Sequence, residues 1–215
     1  VLAGEVAYVK GGSVVTRGVG GGSETDRGAG TMPAWSPDGD QLLVERGGMV
    51  TDAGSGAGLF EGSSPSVSPD RAKIAAERGG TVYFANPDGT QPTAGPAGTT
   101  PVWDSGSTLV VGGGSVERVR ADGTGRTTIA PGSARWPAVS GGGATAWVAG
   151  DALVVDGGSP VMTGVDSRPT WSPDGAWLVA SANGDLHVVP ADGSGPAVAM
   201  GTGGGSFPAW KPSGG

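Results

Sequence analysis

The stretch Pro33-Ala-Trp-Ser-Pro-Asp-Gly39 returns as Pro169-Thr-Trp-Ser-Pro-Asp-Gly175 and, less completely, as Pro65-Ser-Val-Ser-Pro-Asp-Arg71. Reduced copies stand at Pro101-Val-Trp-Asp-Ser-Gly106, Pro137-Ala-Val-Ser-Gly-Gly142 and Pro208-Ala-Trp-Lys-Pro-Ser-Gly214. The six leading prolines lie 32 to 39 residues apart, a repeat of about 35 residues. In the clearest unit, Pro65 to Asp70 is followed by Lys73-Ile-Ala-Ala-Glu77, Gly79-Gly80, Thr81-Val-Tyr-Phe-Ala85 and Asn86-Pro-Asp-Gly89. Short β-favouring runs bounded by Gly-Gly and Asp-Gly are hairpins, because those dipeptides supply the positive φ that tight turns between twisted strands require. Each unit therefore predicts a four-stranded antiparallel sheet. Its last strand is the weak run before the next proline, such as Arg126-Thr-Thr-Ile-Ala130 or Pro196-Ala-Val-Ala-Met200.

A sheet of this size cannot bury either face alone, so neighbouring units must stack, and radial stacking gives a β-propeller. The chain ends predict how the ring closes. Residues 5 to 30 read as a unit without a first strand, and Pro208-Ala-Trp210 reads as a first strand with nothing after it. Joined, they complete a blade and remove the exposed edges of an open array. The expectation is an all-β, six-bladed propeller over 1–215, with blades at 208–215 plus 1–32, 33–64, 65–100, 101–136, 137–168 and 169–207.

Composition supports strands over helices. There are 45 glycines and 17 prolines in 215 residues, and valine supplies 25 of the 38 Leu, Ile, Val and Phe residues. The formal net charge of −7, spread without blocks, offers no surface for tracking phosphates, so nucleic acid is not an expected partner. No apolar run approaches the roughly 20 residues needed to span a bilayer. The absence of cysteine removes disulfides, thiolate metal sites and cysteine nucleophiles. The start at Val1, without the layout of a signal peptide, reads as a trimmed or processed domain.

The repeated Pro-x-Trp-Ser-Pro-Asp-Gly turn, followed by a strand, a short turn and a second strand ending near Asp-Gly, resembles the TolB-type propeller repeat over essentially the whole chain. The Gly-His and Trp-Asp signatures of the WD type are missing, and the copies at Pro101 and Pro137 lack the Pro-Asp pair. Similar repeats occur in periplasmic TolB, in propellers attached to prolyl-oligopeptidase-like hydrolases, in some polysaccharide lyases and in secreted or lipid-anchored proteins. The resemblance implies an extracytoplasmic location; separately, the chain is expected to be a monomer with a protein or peptide partner.

Trp35, Trp103, Trp171 and Trp210 occupy one position of the repeat, with Val67 and Val139 in the other two units, as expected of a wedge between adjacent sheets. The aspartates Asp38, Asp70, Asp174, Asp88, Asp122 and Asp192 fall in turns without calcium-loop spacing and read as turn formers. His187, the only histidine, aligns with Tyr83 and Glu117 at an expected solvent-facing strand position. With no nucleophile elbow either, no catalytic residue, metal site or cofactor is assigned.

The loops ahead of each proline differ between units and frame one channel mouth, which is where a repeat protein can place a specific site. The candidate ligand-binding residues there are Met32, Arg135, Trp136, Asp166, Arg168 and Phe207. Arg135 and Arg168 would serve as carboxylate donors and Trp136 and Phe207 as apolar contacts. The functional expectation is a non-enzymatic scaffold engaging a protein segment or small polar ligand at the channel mouth. The alternatives are a lyase or lactonase-like enzyme with a channel metal held by carboxylates such as Asp166 or Asp26, and a propeller belonging to a larger hydrolase or lipoprotein.

Overall fold

The computed structural model describes residues 3–213, and the secondary structure it assigns to them is strands and turns without a helix. Six antiparallel sheets form the blades of a propeller. In blade I the strand Ser206–Trp210 pairs with Glu5–Lys10, which leads to Ser13–Gly18 and Thr25–Ala29. The two ends of the chain meet in this sheet, with Val6 opposite Trp210 and Ala7 opposite Ala209. Residues 1, 2, 214 and 215, which the sequence assigns to the same blade, lie outside the described residues.

Blade II runs from Thr31–Trp35 to Gly58–Glu61, blade III from Ser63–Val67 to Thr93–Ala97, and blade IV from Thr99–Trp103 to Thr127–Ala130. Blade VI runs from Thr170–Trp171 to Val198–Ala199. Blade V corrects the expectation of four strands per unit, because it has three, Ala134–Val139, Thr145–Ala149 and Ala152–Val155. Its fourth run shrinks to a single bridge between Leu153 and Met162. A turn with positive φ at Asp156 and Gly157 leads straight into Pro160, which has no N–H to give to a ladder.

Hairpin chemistry explains the turns between second and third strands. Gly11 and Gly12, Gly47 and Gly48, Gly79 and Gly80, and Asn183 with Gly184 all have positive φ at both central positions, as primed two-residue turns require. The blades are joined by six buried apolar clusters, one at each seam. Phe84 and Val82 of blade III, for example, pack on Trp103 and Leu109 of blade IV, with the Phe84 and Trp103 rings 5.4 Å apart. The wedge reading of the repeated tryptophan follows from this packing. The Trp103 indole N–H donates to the Ser66 carbonyl oxygen of blade III, and that of Trp171 to the Ala138 oxygen of blade V, each at 3.2 Å. His187 is half-buried rather than exposed, between Ala180 and Ala199, and its Nδ1 has no hydrogen-bond partner. Its neighbours in register, Tyr83 and Glu117, are half-buried too.

The first strand of each blade lines the axis, and its proline bends it. The residue ahead of the proline has positive φ in five blades: Met32, Ser64, Thr100, Trp136 and Phe207. At each of these points the pairing register shifts, which is a β-bulge, one of the few places where a sheet tolerates proline. Blade VI breaks the pattern. Arg168 is absent from the positive-φ residues, and the first strand shortens to Thr170–Trp171.

Candidate ligand site in the central channel

The six repeated prolines, Pro33, Pro65, Pro101, Pro137, Pro169 and Pro208, face one another around a cavity of about 370 Å³. The residue after each proline lines it as well: Ala34, Ser66, Val102, Ala138, Thr170 and Ala209. Gly141, Pro173, Pro212 and Ser213, from the turns that end the first strands, also belong to the lining, so the cavity opens on the face that carries the Ser-Pro-Asp-Gly turns. At its inner end lies Arg168, the only one of the six residues ahead of the repeated prolines that reaches the cavity.

The local chain explains how Arg168 gets there. Asp166 N donates to the Ser181 carbonyl oxygen at 3.1 Å, and the Ser181 hydroxyl donates to the Asp166 carboxylate and lies 2.8 Å from the Ser167 hydroxyl. The Ser167 hydroxyl also accepts from Phe207 N of blade I at 3.1 Å. Ser167 and Ser181 are each 1% exposed, so this network pins the chain where the other blades use a bulge. The Arg168 side chain then crosses to blade II, where Nη2 donates to the Pro33 carbonyl oxygen. No ion pair among the described residues involves it. The side chain is 9% exposed, and burial without an opposite charge pushes its pKa down from the ordinary arginine value to about 10.

Of the six candidate residues, Arg168 alone lines the cavity. Met32, Trp136 and Phe207 occupy the equivalent position in three other blades, half-buried and with left-handed backbone. The Arg135 guanidinium stacks 4.4 Å from the Trp136 ring centroid, and the Asp166 carboxylate is engaged with Ser181. Asp26 lies on Thr25–Ala29, the outermost strand of blade I, where its carboxylate accepts from Gly28 N at 2.8 Å, so it is not a channel residue. No group of three or more His, Asp or Glu side chains is placed to hold a metal ion among the described residues. The channel prolines and the residues after them escaped selection from sequence because they repeat, whereas the variable loops drew attention.

The turn aspartates act on the backbone as expected. Asp38, Asp70 and Asp174 accept from the hydroxyls of Ser36, Ser68 and Ser172 and from the backbone N–H two residues on. Those hydroxyls, then the N–H groups, hold all three carboxyls below the ordinary aspartate value, Asp38 at about 2. Arg71 stands where Gly39 and Gly175 stand in the other copies, at φ 59, and reaches across the seam to Asp38.

The fold and its closure define a six-bladed β-propeller, the fold that TolB structures also have. TolB from Acinetobacter baumannii superposes with a TM-score of 0.79 at 18% identity, over 98% of this chain and 67% of that one. A putative TolB from Agrobacterium tumefaciens gives 0.68 at 18% identity, over 95% and 90%. A chain of a nidogen/laminin complex gives 0.72 at 11% identity, over 97% and 98%. At these identities the likeness is one of fold. No protein-family model matches the chain, and no curated protein matches it in sequence.

Proposed function

We infer that the chain is a binding propeller that receives a ligand or a segment of a partner protein in its central channel. The observation that carries this reading is the axial cavity of about 370 Å³, to which every blade contributes a proline and the residue after it. Its volume falls at the low end of the roughly 300–1,000 Å³ usual for ligand pockets, and its wall combines apolar side chains with a few hydroxyls and one guanidinium. Neighbours as different as TolB and a chain of the nidogen/laminin complex share the scaffold, which supports a role as a platform for partners over a specific chemistry. An extracytoplasmic location follows the same resemblance. Of the candidate residues, the reading rests on Arg168. Met32, Arg135, Trp136, Asp166 and Phe207 surround the opposite mouth, where they would meet a partner that caps the ring.

The test is ligand-observed NMR with a mixed set of small acids, amines, alcohols and short peptides, on wild type and on Val102→Trp, which fills the cavity from its wall. Saturation transfer to at least one probe that disappears in a Val102→Trp protein melting near wild type is the expected result. Transfer that survives the substitution, or none from any probe, refutes the channel as the site.

A further inference from the structure

Among the residues that line the channel cavity, Arg168 is the only one with an ionisable side chain. A guanidinium carries five N–H donors in a planar fork, and here one of its nitrogens has a backbone partner, Pro33 O. No carboxylate pairs with it among the described residues, although it is 9% exposed. A buried charge left in this state is normally a destabilising arrangement, because the low-dielectric surroundings oppose it and nothing opposite offsets them. Its entry into the cavity is also specific to one blade. The other five residues ahead of the prolines stay out of the cavity, and blade VI gives up its bulge and most of its first strand to admit Arg168.

The remaining wall decides which anion fits. Six prolines surround the site and none has an N–H, so beside the fork an incoming anion meets only neutral donors, such as the hydroxyls of Ser66 and Thr170. One guanidinium offsets one charge, so a phosphate dianion would carry a second, uncompensated charge into the cavity. A carboxylate carries one charge on two oxygens spaced for the two parallel N–H groups of arginine. Val67, Val102 and Trp171 flank the same space, so the atoms behind the carboxylate would be apolar.

Resting on the channel reading above, we propose that the cavity is a receptor for a carboxylate at the end of an apolar body, entering from the face of the Ser-Pro-Asp-Gly turns and anchored by Arg168. The body is a small carboxylic acid or the C-terminal residues of a chain, two sources of one chemistry. The carboxylate takes the free side of the guanidinium while Pro33 O holds the other, so a ligand need not unlock the side chain before it binds.

The experiment uses the full chain with arginine labelled in nitrogen-15. It is titrated with sodium hexanoate, with the peptide acid acetyl-Ala-Ala-Val-Val, with the amide of that peptide, and with inorganic phosphate at matched ionic strength. A saturable shift of the Arg168 Nε resonance is expected with a carboxylate probe, with the amide and phosphate far weaker. Hexanoate binding tighter than the peptide identifies a small acid, and the reverse identifies a chain terminus. Loss of the charge-assisted bonds in Arg168→Met should weaken the acid by about 10- to 100-fold. Arg168→Lys, which keeps the charge without the fork, should fall between. Equal binding of acid and amide, phosphate binding as tightly, or an unchanged acid affinity in Arg168→Met overturns the proposal, as does failure of both carboxylates to bind. If acid and amide bind alike and Val102→Trp abolishes both, the channel reading stands and only the role of Arg168 falls. The comparison of acid with amide is made on wild type and does not depend on the folding of any variant.

Discussion

Four wedge tryptophans occupy one place in the repeat, yet their indole N–H groups do not share one fate, and the difference fixes the sign of a comparison. Trp103, Trp171 and Trp210 are buried alike, 7%, 7% and 5% exposed. Trp103 and Trp171 each donate to the carbonyl oxygen following the proline of the preceding blade. The Trp210 Nε1 is buried with no partner, and a Cβ placed on Gly4 would lie 2.5 Å from it, so the N–H abuts the backbone of blade I. Trp→Phe removes similar apolar volume at all three sites, and that shared loss cancels between them.

What remains is the polar balance. At Trp103 and Trp171 the substitution breaks a hydrogen bond worth about 1 kcal/mol net and leaves a buried carbonyl oxygen without its partner. At Trp210 it removes an N–H whose burial costs about 1–3 kcal/mol already. Trp210→Phe should therefore be less destabilising than Trp103→Phe or Trp171→Phe by at least about 2 kcal/mol. For a chain of this length that separates the melting temperatures by roughly 4–8 °C. Urea unfolding followed by circular dichroism, with unchanged slopes across the variants, measures the free energies directly. If Trp210→Phe costs as much as the other two, the indole N–H groups do not differ as described. Trp35 shares the unpartnered N–H but is only half-buried, so its substitution should be milder still.

Gly98 and Gly113 both have φ near +150°, at 151 and 144, but a Cβ on Gly98 would meet Val111 Cβ at 2.7 Å and one on Gly113 would meet nothing within 4 Å. Gly98→Ala should cost about 3 kcal/mol, from overpacking added to backbone strain, and Gly113→Ala about 1, read by urea unfolding; equal costs would exclude the clash. The turn carboxyls of Asp38, Asp70, Asp88, Asp122, Asp174 and Asp192 all lie below the ordinary value of 3.8, held there first by a serine or threonine hydroxyl. A carboxyl depressed in the folded state stabilises fully above its unfolded value and less as pH falls through the folded one. The melting temperature should therefore hold above pH 4 and drop steadily toward pH 2, where Asp38 titrates, and Asp38→Asn should flatten part of that drop. For Arg168, lowered by burial to about 10, the unfolded chain keeps its proton to higher pH than the folded one, so stability should rise as pH climbs above 10. Arg168→Met should abolish that rise and match or exceed wild type in stability at pH 7, and a clear loss at pH 7 would show that the charge is compensated.

The repeat made the ring legible because its signals are local. Proline, Gly-Gly and Asp-Gly each dictate a backbone state, so their spacing alone predicts strands, hairpins and a blade shared by both chain ends. Blade V eluded the same reasoning because its fourth run still reads as apolar, Val161-Met162, and only the tight turn before Pro160 shows why it fails to pair beyond Met162. The half-burial of His187 was out of reach for another reason. A strand position can be aligned with Tyr83, but the depth of its flank depends on how far the short strand Val198–Ala199 extends beside it. At the site, Arg168 stands out in sequence as the one charged residue among the six that precede the repeated prolines. Which way it points was not readable, because that depends on the missing bulge and on Ser181, which lies 13 residues further on.

That missing bulge gives the strongest physical reason to connect Arg168 with binding. A repeat protein gains stability when each unit follows the common solution, and five blades here do, with a left-handed residue ahead of the proline. Blade VI departs from it and places an unpaired guanidinium where the field of the protein disfavours charge. The first strand is also only two residues long, where those of the other blades have five or six. Local departures that shorten a strand and bury an unpaired charge are the expected signature of a site shaped for a ligand, which supplies the missing charge only when it is bound. On this view the cavity is preformed for an anion, and binding relieves a strain already present. A carboxylate probe should accordingly raise the melting temperature of wild type in proportion to the logarithm of its concentration beyond saturation, and leave Arg168→Met unmoved. An equal rise in both proteins would mean that the guanidinium is tolerated for a reason unrelated to any ligand.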